Sequence, residues 1–338
     1  MNFRSDNTAT VAAEILAALT AVNDKPAPSY GEDPWSRKLE DAFGALFERE
    51  VRVFTVATGT AANSIALASA VPPWGGILCH REAHIERDEC GAPEFYAGGA
   101  KLLLIEGEAA KISPEGLKDA LGRYGRDIHA VKLAALSVSQ TSERGAAYRP
   151  DELAALGDMA RGAGLAFHMD GARFANAVAA LGCSPADITW RAGVDLLSFG
   201  ATKNGALAAE AIVCFNHAYA EEIARRRKRG GHLLSKNRYV AAQFLAFLEN
   251  ELWLKLATRA NGLARRLGEA AGAHLSVPVE TNQVFIKPGV AALAKLRAAG
   301  ADFYDWGAEG SGEARLVVSW NQSEGDVEAM ASLLASLR

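Results

Sequence analysis

The chain predicts an α/β protein with a large, mostly parallel sheet covered by helices and a smaller α+β domain after it. Two observations carry that expectation. Short, nearly uninterrupted apolar runs alternate with amphipathic stretches through the first two thirds of the sequence, the cadence of strands buried on both faces between helices. Past about residue 240 the texture changes to one long helical stretch and then isolated strands. With 338 residues, 49% of them hydrophobic, the chain can bury the core that this architecture requires.

Taken in order, Val11, Ile15, Leu19 and Val22 share one face of a helix, and Lys25-Pro26-Ala27-Pro28-Ser29-Tyr30-Gly31 is a loop. Val51 to Ala57 reads as a strand, Ala61 to Val71 as a helix, and Leu102 to Ile105 as a strand. Ser113-Pro114-Glu115 carries the cap and first-turn residues that start a helix. Three nearly continuous apolar runs follow, at Val131 to Val138, Leu165 to Met169 and Val194 to Phe199, and a further strand at Ala211 to Phe215. A long helix is expected from about Asn237 to Ala271. Strands at Gln283 to Lys287 and Ala314 to Ser319 and helices at Gly289 to Ala299 and from Asp326 make up the smaller unit. No Ser/Gly-rich tether separates the parts, so the expected division, 1–240 and 241–338, falls at a helix.

A net charge of −4 with both signs interspersed gives no field for nucleic acid or an anionic membrane. The run Arg225-Arg226-Arg227-Lys228-Arg229 reads as a solvated helix end, where cations are favoured by the helix dipole. Four scattered cysteines, Cys79, Cys90, Cys183 and Cys214, suit reduced thiols rather than a disulfide framework or a zinc site. No leader and no bilayer-length apolar segment is read, so a cytoplasmic location is expected.

The chemistry is concentrated at strand ends. Asp170, in His168-Met169-Asp170-Gly171-Ala172-Arg173, and Lys203, in Ser198-Phe199-Gly200-Ala201-Thr202-Lys203-Asn204-Gly205, each close an apolar run. A carboxylate and an amine so placed are what pyridoxal 5′-phosphate (PLP) needs: a lysine to bond its aldehyde, and a carboxylate to keep its pyridine nitrogen protonated. Thr58-Gly59-Thr60-Ala61-Ala62-Asn63, where a strand turns into a helix, offers amides to a phosphate, although the same sequence is also a good helix cap. Arg173 can orient Asp170 or bind a substrate carboxylate. His84 lies in a polar segment with His80, Glu86, Asp88 and Glu89, where a stacked, proton-relaying ring and a surface histidine are both open readings. No clean spacing supports a metal site there.

Together these motifs resemble the L-threonine aldolases, in particular the bacterial low-specificity branch. The matching segments are Ser5-Asp6-Asn7, Tyr30-Gly31-Glu32-Asp33, Thr58 to Asn63, Ala83-His84 through Asp88 to Glu94, His168 to Phe174 and Phe199 to Gly205. The resemblance covers nearly the whole chain. It implies the PLP-dependent transferase fold type I with a seven-stranded sheet, and cleavage of threonine, allo-threonine and related β-hydroxy-α-amino acids to glycine and an aldehyde. A phenylserine-type aldolase, or another PLP lyase or aminotransferase on this fold, is the alternative. Carried over residue by residue, it implies Lys203 as the cofactor lysine, Asp170 as partner of the pyridine nitrogen and His84 as the stacked ring. Thr58, Gly59 and Thr60 then hold phosphate, and Ser5, Arg173 and Arg315 the substrate carboxylate. Tyr30 and Lys236 are implied as contributions from a neighbouring subunit, in a homotetramer of two dimers. His84, with an ordinary pKa of about 6.5, is also the expected base for the β-hydroxyl proton. One departure stands out: many members carry a second histidine after the strand at Val131 to Val138, and here the segment is Ser139-Gln140-Thr141-Ser142-Glu143.

Overall fold

Seven strands form the main sheet of the structure, a computed structural model that describes residues 1–124 and 127–337. They are β1 (Arg52–Val56), β2 (Gly75–His80), β3 (Lys101–Ile105), β4 (Lys132–Ser139), β5 (Ala166–Gly171), β6 (Leu196–Gly200) and β7 (Glu210–Cys214). Their spatial order is β1-β7-β6-β5-β4-β2-β3. Four neighbouring pairs run parallel, and β7 alone runs antiparallel to both of its neighbours. Crossover helices such as Gly59–Ala70 and Pro150–Gly162 cover the faces, which is why β2, β5, β6 and β7 are buried along their whole length.

The aromatic side chains Phe43, Phe47, Phe174, Phe199 and Phe244 interlock on one face, with Phe43 meeting Phe199 edge-on at 5.1 Å. A second, antiparallel sheet of order β8-β10-β9 consists of β8 (Gln283–Ile286), β9 (Tyr304–Trp306) and β10 (Glu313–Val317).

Two strands escape the sequence reading. β2 is announced by Pro72-Pro73-Trp74-Gly75-Gly76, which reads as a turn, and only three apolar residues follow. Its glycines serve close packing: a Cβ on Gly76 would lie 2.7 Å from Leu103 Cδ1. β9 is a three-residue strand with two exposed positions and carries no alternation to detect. The long helix is interrupted at Glu249–Glu251, where Asn250 and Glu251 take positive φ, and so divides into Arg238–Leu248 and Leu252–Ala271. Its residues through Ala257 join the core of the large sheet, whereas Leu263, Ala264 and Leu267 pack under the small sheet with Phe3 from the N-terminus. The basic run occupies the last turns of the Ala220–Arg229 helix, but it is not solvated throughout: Arg227 turns inward, donating to Thr55 O at 2.6 Å and to Thr55 Oγ1 at 2.7 Å, and burial lowers its pKa to about 10. Among the described residues no helix is long and apolar enough to cross a membrane.

Candidate active site

The sheet registers bring the chemistry to one edge. Ser139 on β4 lies opposite Asp170 on β5, Asp170 opposite Ser198 on β6, and Glu210 at the start of β7 opposite both Gly200 and Val56. The carboxyl ends of parallel strands are where ligands bind in such sheets. A cavity of about 280 Å³ opens there, lined by Thr58, Gly59, Thr60, His84, Asp170 and Lys203 among others.

Lys203 sits in the single turn Thr202–Asn204 after β6. That turn is pinned by Ala201 N donating to Ala209 O (3.0 Å), Ala209 N donating to Thr202 Oγ1 (3.1 Å) and Asn204 Nδ2 donating to Trp253 O (2.8 Å). Asp170 is buried, with one oxygen accepting from Asn63 Nδ2 (2.8 Å) and the other from the Ala172 amide (3.0 Å). Burial pushes its pKa up, but His84, the Ala172 amide, Lys203 and Asn63 together outweigh this and hold it below the ordinary carboxylate value. Beneath it His168 bridges Ser137 Oγ (2.9 Å) and Ser198 Oγ (3.0 Å), and burial pushes its pKa down to about 4, so it braces the strand as a neutral ring.

Asn63 also donates to Glu89 Oε1 (2.8 Å), which accepts from His84 Nδ1 at 2.8 Å. The His84 pKa is raised, first by this bond to Glu89, against the effect of burial. The Thr58 hydroxyl accepts from the Ala61 amide (3.1 Å) and so starts the Gly59–Ala70 helix. The first amides of that helix, on Gly59 and Thr60, have no partner one turn earlier and are left for a ligand.

Other expected residues are differently placed. Arg173 lines the cavity but is bound in bidentate fashion by buried Asp6, Nε to Oδ2 at 2.7 Å and Nη2 to Oδ1 at 2.9 Å, and Asn282 also donates to Asp6 (3.1 Å). Ser5 caps the Asp6–Thr8 turn by accepting from the Asn7 amide (3.2 Å). The Arg315 guanidinium lies 4.7 Å from the Trp306 ring and 5.9 Å from that of Tyr304, and its Nε is buried with no hydrogen-bond partner. Burial and the like charge of Arg173 lower its pKa. Tyr30 and Lys236 stand apart from Lys203: the Tyr30 amide donates to Ser235 O (2.9 Å), its half-exposed ring contacts Lys228, and neither residue lines the cavity.

Three residues escape sequence reasoning in this role: Asn63 and Glu210, which line the cavity, and Asp6, which reaches it through Arg173. Asp6 and Asn63 act on partners more than a hundred residues away, and local pattern cannot show that. Glu210 does leave a signal, an acid at the head of an otherwise apolar run; burial raises its pKa to about 7 against the pull of Thr202 and Lys203.

The beta-eliminating lyase family model matches residues 2–289. The low-specificity L-threonine aldolase of Pseudomonas aeruginosa is 43% identical, over 99% of this chain and 96% of that one. The chain belongs to the beta-eliminating lyase family, in its low-specificity L-threonine aldolase branch. The solved threonine aldolase of Leishmania major superposes on it with a TM-score of 0.93 at 28% identity, covering 99% of each chain. Thermus thermophilus aspartate aminotransferase, at 15% identity and a TM-score of 0.70 over 100% of this chain and 91% of that one, shares the fold. The aldolase-family chain therefore has the expected type I architecture, including the seven-stranded sheet.

Proposed function

We propose that this chain uses PLP to cleave L-threonine, L-allo-threonine and related β-hydroxy-α-amino acids to glycine and an aldehyde. The observation that carries the reading is the meeting of the Lys203 amine and the ionised Asp170 carboxylate in one cavity whose wall also holds the open helix end at Gly59 and Thr60.

The residues present fit the cofactor. Asn63 Oδ1 and Glu89 Oε2 are buried without hydrogen-bond partners, so the site has polar capacity that the protein alone does not fill. Gly59 has only Glu210 Oε2 near the place a Cβ would take, at 3.8 Å. Thr58, Gly59 and Thr60 would hold the phosphate, Asp170 the pyridine nitrogen, His84 the ring face, and Lys203 the aldehyde carbon. Glu210, with a pKa near neutrality, can present a protonated oxygen to the phosphate rather than a second anion. When bound, the cofactor supplies an electron sink for the bond broken at Cα.

The chain's own groups do the rest. Asn63 ties Asp170 to the Glu89–His84 pair, so ring face and ring nitrogen are held by one hydrogen-bonded unit. Arg173, oriented by Asp6, and Arg315, with an unmet Nε beside it, form a cationic pair that a substrate carboxylate would relieve, with Ser5 at the same N-terminal turn. Fixing that carboxylate sets which bond at Cα lies in position to break.

Tyr30 and Lys236 share a surface remote from Lys203, and this supports their serving a partner's site in a dimer, two of which build a tetramer. Four free cysteines and a balanced surface support a cytoplasmic location. The test is aldehyde release from L-threonine, L-allo-threonine and phenylserine in separate reactions with PLP. Acetaldehyde supports the reading; benzaldehyde alone moves it to an aryl-serine enzyme.

A further inference from the structure

We propose that Glu143 is the base that takes the β-hydroxyl proton of the substrate, a role that rests on the aldol-cleavage reading above. Glu143 lines the cavity that holds Lys203, Asp170 and Arg173, and no described residue gives it a hydrogen bond or an ion pair. Every other carboxylate in that wall is engaged: Asp170 by Asn63 and Ala172, Glu89 by His84 and Asn63, Glu210 by Thr202.

Its backbone is fixed. Gln140 N donates to Asp170 O (2.7 Å), the Gln140 amide side chain exchanges two hydrogen bonds with the Tyr148 backbone, and Ser142 N donates to Ala146 O (2.8 Å). Ser142 is turned away, its hydroxyl donating to Ala109 O at 2.7 Å, while the neighbouring Thr141 hydroxyl faces the cavity, buried and unpartnered. An unused hydroxyl and an unused carboxylate thus line the same cavity as the cofactor lysine's turn.

His84 is poorly suited to the same task. Its Nδ1 is held by Glu89 and its pKa is raised, so it is held toward the protonated form more than an ordinary histidine. Glu143 is raised from the ordinary carboxylate value by burial, partly offset by His84, Arg173 and Lys203, which strengthens it as a base. It also lines a second cavity, of about 410 Å³, with Arg87, Asp88, Arg144 and Trp306.

The step balances. The hydroxyl proton passes to the Glu143 carboxylate, the C–O bond becomes the carbonyl of the departing aldehyde, and the Cα–Cβ bond breaks with its electron pair left on the Cα fragment. That fragment takes up one proton and leaves as glycine, and Glu143 returns its own, so nothing is consumed.

The experiment compares wild type with Glu143→Gln and Glu143→Ala in three measurements: the affinity and visible absorbance of added PLP, exchange of the glycine α-hydrogen with solvent deuterium, and aldehyde release from L-threonine. Glycine has no β-hydroxyl, so its exchange needs the cofactor machinery and not this base. Expected are unchanged PLP affinity and near wild-type glycine exchange in both variants, with kcat for cleavage down at least about 100-fold and restored in part to the alanine variant by added formate. Cleavage by Glu143→Gln within about threefold of wild type, well short of a general base's share, overturns the proposal. So does a parallel loss of glycine exchange, which would put Glu143 in the chemistry at Cα. A wild-type protein that exchanges glycine yet cleaves no β-hydroxy amino acid overturns the function itself and this role with it, a result distinct from both.

Discussion

Replacing Glu210 with glutamine should make the cofactor-free protein more stable at alkaline pH and leave it nearly unchanged in mild acid. Glu210 opens β7 between β1 and β6, is 8% exposed, and faces Lys203, Thr202 and the Asp170 charge. Burial raises its pKa from 4.5 to about 7. A carboxyl raised on folding binds its proton more tightly in the native than in the unfolded chain. The native state therefore carries the extra proton between those two values, and stability falls as pH rises through them. Below the lower value nothing is lost; above the upper one the full cost is felt. A rise from 4.5 to about 7 corresponds to about 3 kcal/mol. Glutamine keeps the shape and can still accept from the Thr202 hydroxyl, but it has no charge to bury. Thermal unfolding of both proteins should give a Tm difference near zero at about pH 5 that widens to several degrees by about pH 8. A difference that does not change with pH would refute the argument, because an effect of packing or hydrogen bonding carries no proton.

Asp6→Asn removes the charge that holds Arg173 in a buried pair, so stability should fall by about 3 kcal/mol or more, and KM for the amino acid should rise further than kcat falls; equilibrium unfolding and steady-state kinetics check both. Tyr148→Phe leaves the buried Ile112 amide, which now donates to the Tyr148 hydroxyl at 2.6 Å, without an acceptor, and should cost about 1–3 kcal/mol by urea unfolding. Gly157→Ala should destabilise by about 2 kcal/mol in spite of alanine's helix preference, since the new Cβ would lie 1.9 Å from the Ala192 carbonyl oxygen and backbone would have to move.

The strands that carry the site were legible because they are the most buried. Asp170 and Lys203 each follow a nearly continuous apolar run, and such runs survive any error in where an element begins. β2 was not legible although it is equally buried, because Gly75 and Gly76 do there what side chains do elsewhere: they let Val71 and Leu103 close in, and no period records that. The site itself divided along the same line. Residues that meet the cofactor lie in short motifs. The groups that orient them, Asp6 on Arg173 and Asn63 on Asp170, come from distant segments joined only by the folded sheet. Glu143 stood in plain view within the segment that departs from the family pattern, but its freedom from partners is a property of the cavity wall alone.

The central claim is that Lys203, facing Asp170 across one cavity, makes this chain a β-hydroxy amino acid aldolase. Purified protein supplied with PLP should be incubated with L-threonine and L-allo-threonine separately, with acetaldehyde read by a coupled reductase and Lys203→Ala run beside it. Acetaldehyde is expected from the wild-type protein and none above background from the variant. Bound PLP with no aldehyde from either substrate, or equal release by Lys203→Ala, would contradict it.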